Sequence, residues 1–258
     1  MDPPIMLDPE PSSGRAPTLS ATHSYPGRDL EAMVFAKRYH AWILEIFLPY
    51  LGRDLVEVGS GSGNFSRMIL AGEVDSLLAI EPSAEMFHPL SEWAKADQRV
   101  RVHHGTLASA AVQPGSVDSI LYVNVLEHIE HDASELSQAW SALRPGGTLL
   151  LYVPALAFLY SDFDRRIGHY RRYEKAALQS LVLSAGFGIE FCRFVDVLGV
   201  LPWYVSMCVL KGDLNPRAVA LYDFVGTPLS RWLESIVIPP VGKNIALAGR
   251  KPIAEISG

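Results

Sequence analysis

Apolar positions recur at helical spacing through 28–50, where Met33, Phe35, Ile43, Leu44 and Phe47 stand among charged residues and Pro49 and Gly52 close the segment. From Leu55 onward, short apolar runs alternate with amphipathic ones. The runs 55–58, 76–80, 99–103, 117–123 and 148–153 predict strands, and 64–71, 84–96 and 132–143 predict the helices between them. The run 117–123 is apolar throughout, as in a central strand covered on both faces. The helix over 132–143 stops at Arg144-Pro145-Gly146-Gly147. Strands and helices in alternation predict an α/β protein with a doubly wound, mainly parallel sheet. The last third is less regular: a helix over 174–185 ended by Gly186, a strand over 187–195, and a final strand over 245–249 after the turn Pro239-Pro240-Val241-Gly242.

Residues 1–24 are rich in proline, serine and glycine without periodicity, and read as a flexible tail. The most apolar run, 195–210, is short for a membrane span and is interrupted by Asp196, Gly199 and Pro202, so a buried helix or a greasy substrate cover is expected. Trp203 and Tyr204 suit transient contact with a membrane interface. The net charge of −6 over 258 residues argues against a nucleic-acid-binding surface. Cys192 and Cys208 lack metal-ligand spacing, so neither a disulfide framework nor a zinc site is indicated. No positively charged start precedes an apolar run, and a cytoplasmic location is the default expectation.

Candidate chemistry concentrates in Glu57-Val58-Gly59-Ser60-Gly61-Ser62-Gly63-Asn64-Phe65, a strand end, a glycine turn and a helix start. Such a turn presents backbone N–H groups and leaves room for a ligand against bare backbone. A dinucleotide fold wants G-x-G-x-x-G with a pyrophosphate at the helix, which Glu57 would repel. The phosphate-cradling G-x-x-x-x-G-K-[ST] is absent. A ligand with both an ammonium and a carboxylate suits the turn better, and the methionine part of S-adenosylmethionine is such a ligand.

Four motifs in order resemble the class I S-adenosylmethionine-dependent methyltransferases: Val56 to Gly63, Ala79-Ile80-Glu81-Pro82-Ser83, Val117 to Ile129, and Leu143 to Leu149. The core likeness covers roughly 41–153, and Gly168-His169-Tyr170-Arg171-Arg172-Tyr173 extends it loosely. The resemblance implies a Rossmann-like seven-stranded sheet with its last strand antiparallel, and S-adenosylmethionine as cofactor. It implies cofactor contacts from Glu57, Gly59, Ser60, Gly61, Gly63 and Asn64 around the turn, with Glu57 near the methionine ammonium. Glu81, 22 residues after Gly59, is placed to accept both ribose hydroxyls, and Pro82 and Met86 to pack on adenine. Asn124 and Val125 are placed to hold the methionine backbone. Where members often carry an aspartate for the adenine amino group, this chain reads His104-Gly105-Thr106-Leu107, which leaves Thr106 or a backbone carbonyl around Gly105.

Methyl transfer from a sulfonium needs positioning and exclusion of water, and a base only where the acceptor loses a proton. Glu127, His128, His169 and Tyr25 are the candidate bases, and no metal site is assigned. The stretch 165–173 packs four arginines, a histidine and two tyrosines into an acidic chain. Arg166, His169, Tyr170, Arg171, Arg172 and Tyr173, with Phe158, Tyr160, Trp203 and Tyr222, are expected to form a pocket with one anionic and one aromatic end. The alternative is that the arginines pair with Asp162, Asp164 or Glu174 and pin a loop.

A small, anionic, partly apolar acceptor follows from the first reading, with a short prenyl diphosphate methylated on carbon as the specific expectation. O- or N-methylation of a natural product or lipid is the enzymatic alternative, and a non-catalytic cofactor-binding subunit is the alternative from another class. The expected organisation is a tail over 1–24, a helical lid over 25–52 and a methyltransferase domain over 53–258, with acceptor segments at 154–173 and 196–240.

Overall fold

The structure, a computed structural model, describes residues 36–253. Tyr25, the tail over 1–24 and the first part of the expected lid lie outside the described residues. The chain alternates α1 (Lys37–Phe47), β1 (Asp54–Val58), α2 (Asn64–Ile69), β2 (Ser76–Glu81), α3 (Ala84–Ala94), β3 (Val100–His104), α4 (Leu107–Ala110), β4 (Val117–Val123), α5 (Asp132–Ala142) and β5 (Leu143–Pro154). Then follow α6 (Asp162–Arg166), α7 (Lys175–Ser184), β6 (Gly188–Val195), α8 (Val200–Trp203), α9 (Pro216–Leu221), α10 (Thr227–Ile236) and β7 (Asn244–Arg250).

The seven strands form one sheet in the order β3-β2-β1-β4-β5-β7-β6. All pairs are parallel except those made by β7, which runs antiparallel to both β5 and β6. Side-chain alternation on buried strands explains the two cores. Ile120 and Tyr122 of β4 and Leu149 and Leu151 of β5 join Leu178 and Phe187 on one face. Leu121 and Leu150 point the other way and meet Ile43, Phe47, Leu55 and Leu77. The helices flank a sheet buried on both sides, and the carboxyl ends of the parallel strands point to one edge, where open α/β sheets take ligands.

Three boundaries differ from expectation, each for a tertiary reason. β5 begins at Leu143 rather than 148, because Arg144 is drawn along the sheet by Asp54 and Asp118 and Leu143 pairs with Val117 before a bulge. Within the described part of the expected lid, α1 is a core helix: Tyr39, Trp42, Ile43, Ile46 and Phe47 are buried. Its first N–H groups, those of Arg38 and Tyr39, are capped by the Asp223 carboxylate from a distant segment (3.1 and 2.8 Å). The run 195–210 becomes the short α8 followed by a π-helical turn, Tyr204–Val209, in which Met207 is the buried residue. No helix among the described residues is long and apolar enough to cross a membrane.

Candidate active site

At the end of β1 the N–H groups of Gly59 and Ser60 both donate to the Ile80 carbonyl (2.8 and 3.0 Å), which ties the glycine turn to β2. Gly59, Gly61 and Gly63 have φ of 72°, 54° and 83°, a left-handed conformation that side chains resist. A Cβ on Gly59 would lie 2.4 Å from Val125 Cγ2. The missing side chain is thus what lets the segment after β4 close onto the turn.

Glu81 sits at the tip of β2. Its Oε2 accepts from Gly61 N–H (2.8 Å) and its Oε1 from Ser83 N–H (2.7 Å). Each oxygen keeps a lone pair for a ligand hydroxyl, the arrangement a ribose diol needs. Burial raises the Glu81 pKa, against the two backbone hydrogen bonds. Glu57 lies beneath the turn, fully enclosed, with Ser66 Oγ donating to Oε2. Burial pushes its carboxyl up to about 7, against the hydrogen bond from Ser66. Ser60 Oγ donates to the Glu57 carbonyl (3.0 Å).

The other expected cofactor residues divide. Asn124 adopts φ of 54°, its N–H donates to the Tyr152 carbonyl (2.7 Å), and Val125 follows it onto Gly59. Pro82 is exposed and Met86 half-buried on the first turn of α3, beside Glu81. Asn64 is exposed and engaged by Ser62 and Arg67. Gly105 donates to the Glu81 carbonyl (3.1 Å). The Thr106 hydroxyl accepts from Ser109 N–H, and Ser109 Oγ accepts from Thr106 N–H. That pair is the capping box of α4, so in the structure the Thr106 side chain serves as a helix cap.

Beyond β4, the 3-10 turn Leu126–His128 packs against the loop after α6, with Tyr170 N–H donating to the Glu127 carbonyl (2.8 Å). This brings three of the candidate bases together. The Glu127 carboxylate is fully buried and no other described residue donates a hydrogen bond to either oxygen; His169 Nε2 stands 3.8 Å from Oε1. His128 and His169 meet edge to face with ring centroids 4.5 Å apart. His169 Nδ1 bonds to Asp164 Oδ1 (2.9 Å), which orients the ring.

Burial pushes the Glu127 carboxyl up to about 7, opposed by the nearby His169, by Glu127's own backbone N–H and by Arg172. Burial, helped by His169, pushes His128 down to about 3. Burial acts to raise Asp164 too, but the His169 hydrogen bond and the Arg172 guanidinium hold it at about 2.

The arginine cluster takes the other role open to it. Arg165 pairs with Asp162 (2.6 Å), Arg166 with Asp213, Arg171 with Asp132 and Arg172 with Asp164 (2.8 Å). Arg172 is buried and stacks over Trp203 (4.5 Å). Arg166, Arg171 and Arg172, expected at an acceptor anion, are each paired with a carboxylate here, and these pairs fasten the loop carrying His169. Tyr173 donates to Asp132 (2.9 Å) and Tyr160 to the His169 carbonyl (2.7 Å), so both support that loop. Trp203 Nε1 donates to the Leu159 carbonyl (3.2 Å), and Tyr222 donates to Asp196. Phe158 and Tyr170 are left exposed.

One constellation escaped sequence reasoning. Asp196, at φ of 67° just past β6, is fully buried. It holds Lys243 (2.9 Å), Tyr39 (3.0 Å), Tyr222 and Gly199 N–H (3.1 Å). Tyr152 donates to Tyr39 (2.7 Å), whose single hydroxyl proton is shared between Asp196 and the Asn244 side-chain oxygen (3.1 Å). Burial works to raise the Asp196 pKa, but Lys243 and the hydroxyl donors bring it below the usual carboxylate range. The one signal in the sequence was an aspartate interrupting an apolar run.

A glycine turn at β1, an acid at the tip of β2 and the order 3-2-1-4-5-7-6 with an antiparallel β7 define the S-adenosylmethionine-binding methyltransferase fold. The comparisons agree. The profile of the family described as "Methyltransferase domain" matches residues 30–190, and the chain belongs to that family. Over 198 residues the chain is 27% identical to a probable S-adenosylmethionine-dependent methyltransferase of Mycolicibacterium smegmatis, covering 76% of this chain and 73% of that protein. It is 29% identical over 176 residues to a ubiquinone biosynthesis O-methyltransferase of Xanthomonas euvesicatoria, covering 60% and 70% of the two.

Among solved structures, the putative methyltransferase of Haloferax volcanii, determined with its Trm112 activator, superposes with a TM-score of 0.62 at 15% identity over 88% of this chain and 94% of that one. A [4+2]-cyclase, SpnF, superposes with a TM-score of 0.58 at 19% identity over 84% and 81%. The protein is therefore an S-adenosylmethionine-dependent methyltransferase with a Rossmann-like fold. The cyclase shows that the fold does not dictate the acceptor chemistry.

Proposed function

We propose that this enzyme methylates an oxygen on a small, largely apolar acceptor. The observation that carries the reading is the Glu127 carboxylate: buried, without a hydrogen bond from another residue on either oxygen, and 3.8 Å from His169 Nε2, just past the strand whose end holds Asn124 and Val125. S-adenosylmethionine supplies a methyl group on a sulfonium. The chain's part is to hold the cofactor with the glycine turn and Glu81, to place the acceptor, and to assist loss of its proton. The acceptor's hydroxyl is set against Glu127, His128 and His169. Burial makes Glu127 a better proton acceptor than an ordinary carboxylate, and general-base assistance of this kind contributes about 10²–10⁴-fold. The 29% identical relative named for O-methylation in ubiquinone biosynthesis supports an oxygen acceptor.

The apolar character of the acceptor is supported by the segment 201–241. Leu201, Leu210, Leu221, Phe224, Trp232 and Ile238 are each more than 60% exposed there. A surface of this kind suits a lipid-like acceptor or contact with a membrane interface. The prenyl diphosphate reading is weaker, because it needs free cations and the arginines of 165–172 are paired.

A panel of hydroxylated aromatics, hydroxylated lipids and alkenyl diphosphates, assayed with methyl-labelled cofactor, tests the proposal. Label is expected on oxygen of a hydroxyl acceptor, with turnover lowered about 10²–10⁴-fold in Glu127→Gln. Label on an alkene carbon of a diphosphate, with Glu127→Gln as fast as wild type, would overturn it.

A further inference from the structure

We propose that Glu127, His128 and His169 form a binding site for one divalent transition-metal cation of the zinc class, with one coordination position left open toward the acceptor. A fully buried carboxylate to which no other residue donates a hydrogen bond is costly as an anion unless a cation lies against it. One ligand atom from each of the three side chains can be chosen so that all lie within 4.8 Å of one another. In a tetrahedral site with metal–nitrogen bonds of about 2.0–2.1 Å, ligand atoms sit roughly 3.3 Å apart. The 3.8 Å between His169 Nε2 and Glu127 Oε1 is already close to that spacing, and side-chain rotation closes the rest.

The imidazoles are oriented as ligands are. A metal-bound histidine usually gives its other nitrogen to a carboxylate or a backbone carbonyl, which fixes the ring. His169 does the first, through Nδ1 to Asp164 at 2.9 Å, which leaves Nε2 facing Glu127. His128 does the second, with the Gly168 carbonyl as its partner. Asp164 is in turn held by Arg172 and Ser161, so the orienting carboxylate is itself fixed. Two imidazoles and one carboxylate select zinc, cobalt or a neighbouring transition metal over calcium or magnesium, which prefer cages of oxygen ligands.

The three ligands come from two segments about 40 residues apart, and the Tyr170 N–H to Glu127 carbonyl bond joins those segments. A cation there would compensate the Glu127 charge and, as a Lewis acid, lower the pKa of an acceptor hydroxyl so that its proton leaves to solvent water; with the cation bound, Glu127 acts as a ligand and not as the proton acceptor. The inference goes beyond the acceptor reading, because occupancy is measured without turnover.

The test uses the full chain without a histidine tag, stripped with chelator and dialysed against micromolar Co²⁺ or Zn²⁺. Metal is counted by elemental analysis, and Co²⁺ coordination is read from its visible d–d absorption. The expected result is one equivalent per chain. Affinity should fall more than tenfold in Glu127→Gln and in His169→Gln, and about 10–100-fold in Asp164→Asn, which acts through His169.

Adenosylhomocysteine affinity and a cooperative thermal transition identify the variants that remain folded, and either ligand variant suffices. Absence of saturable Co²⁺ binding by the wild-type chain overturns the proposal. So does unchanged affinity in a folded ligand variant. Co²⁺ binding without any methylated hydroxyl acceptor would sink the acceptor reading alone; hydroxyl methylation by a chain that shows no saturable Co²⁺ binding would sink the metal alone.

Discussion

Asp196 and Glu127 are both fully buried carboxylates just past the carboxyl ends of strands, β6 for one and β4 for the other. Asp196 is surrounded by partners: an ammonium, tyrosine hydroxyls and a backbone N–H. Glu127 has no hydrogen bond from another residue on either oxygen. The contrast separates two uses of a buried charge. A fully satisfied carboxylate joins elements: Asp196 ties α1, β7 and the segment 222–230 to the end of β6. An unsatisfied one is retained at a cost to stability, and the fold keeps such a group where a ligand will complete it. Glu81 is intermediate, with one backbone donor on each oxygen and room for one more.

The largest effect expected from this contrast is on stability. Asp196→Ala strands Lys243 and the tyrosine hydroxyls in the interior, and breaking a buried pair in this way costs about 3–5 kcal/mol. Urea unfolding measures it. A loss below about 1 kcal/mol would erase the distinction between the two carboxylates.

The pH dependence comes next. The Glu127 carboxyl is raised to about 7 in the folded protein from an ordinary value of 4.5. Between those values the folded state binds more protons than the unfolded, so stability declines as pH rises from about 4.5 to about 7, with a slope of up to about 1.4 kcal/mol per pH unit. Glu57 adds to the same window. The part of the slope that disappears in chelator-treated Glu127→Gln belongs to Glu127. If wild type and variant give parallel curves, the carboxylate has a partner the structure does not show.

Glu81→Ala should weaken adenosylhomocysteine binding by roughly 1.5–3 kcal/mol, the range for hydrogen bonds to a charged group. Calorimetry reads it, and unchanged affinity would place Glu81 with Asp196 as scaffold. Smallest of all, Thr106→Ala should cost about 0.5–2 kcal/mol of stability by removing the cap of α4, while adenosylhomocysteine affinity stays at the wild-type value. A drop in affinity would restore Thr106 to the adenine site.

The glycine turn and Glu81 were legible in the sequence because their chemistry is local. Positive φ, a strand end and a helix start occupy adjacent residues, and the acid lies a fixed distance along the next strand. The strands were legible for the same reason, since burial on both faces writes a continuous apolar run such as Val117–Val123. The arginine cluster shows the limit. Its composition pointed outward to an anion, but the partners of Arg166 and Arg171, Asp213 and Asp132, lie about 40 residues away in opposite directions along the chain.

What the chain determined by itself is thus the alternating α/β order, the bare-backbone turn and the acid that serves it. Tertiary structure alone decided which charges are answered. It brought Asp223 to the start of α1 across 184 residues, gathered Lys243 and three tyrosines around Asp196, and left the Glu127 carboxylate beside two histidines with no hydrogen bond from another residue. The physical reason is that backbone conformation and side-chain alternation are set by neighbours in the chain, whereas the cost or benefit of a buried charge depends on groups that only folding brings within hydrogen-bond reach.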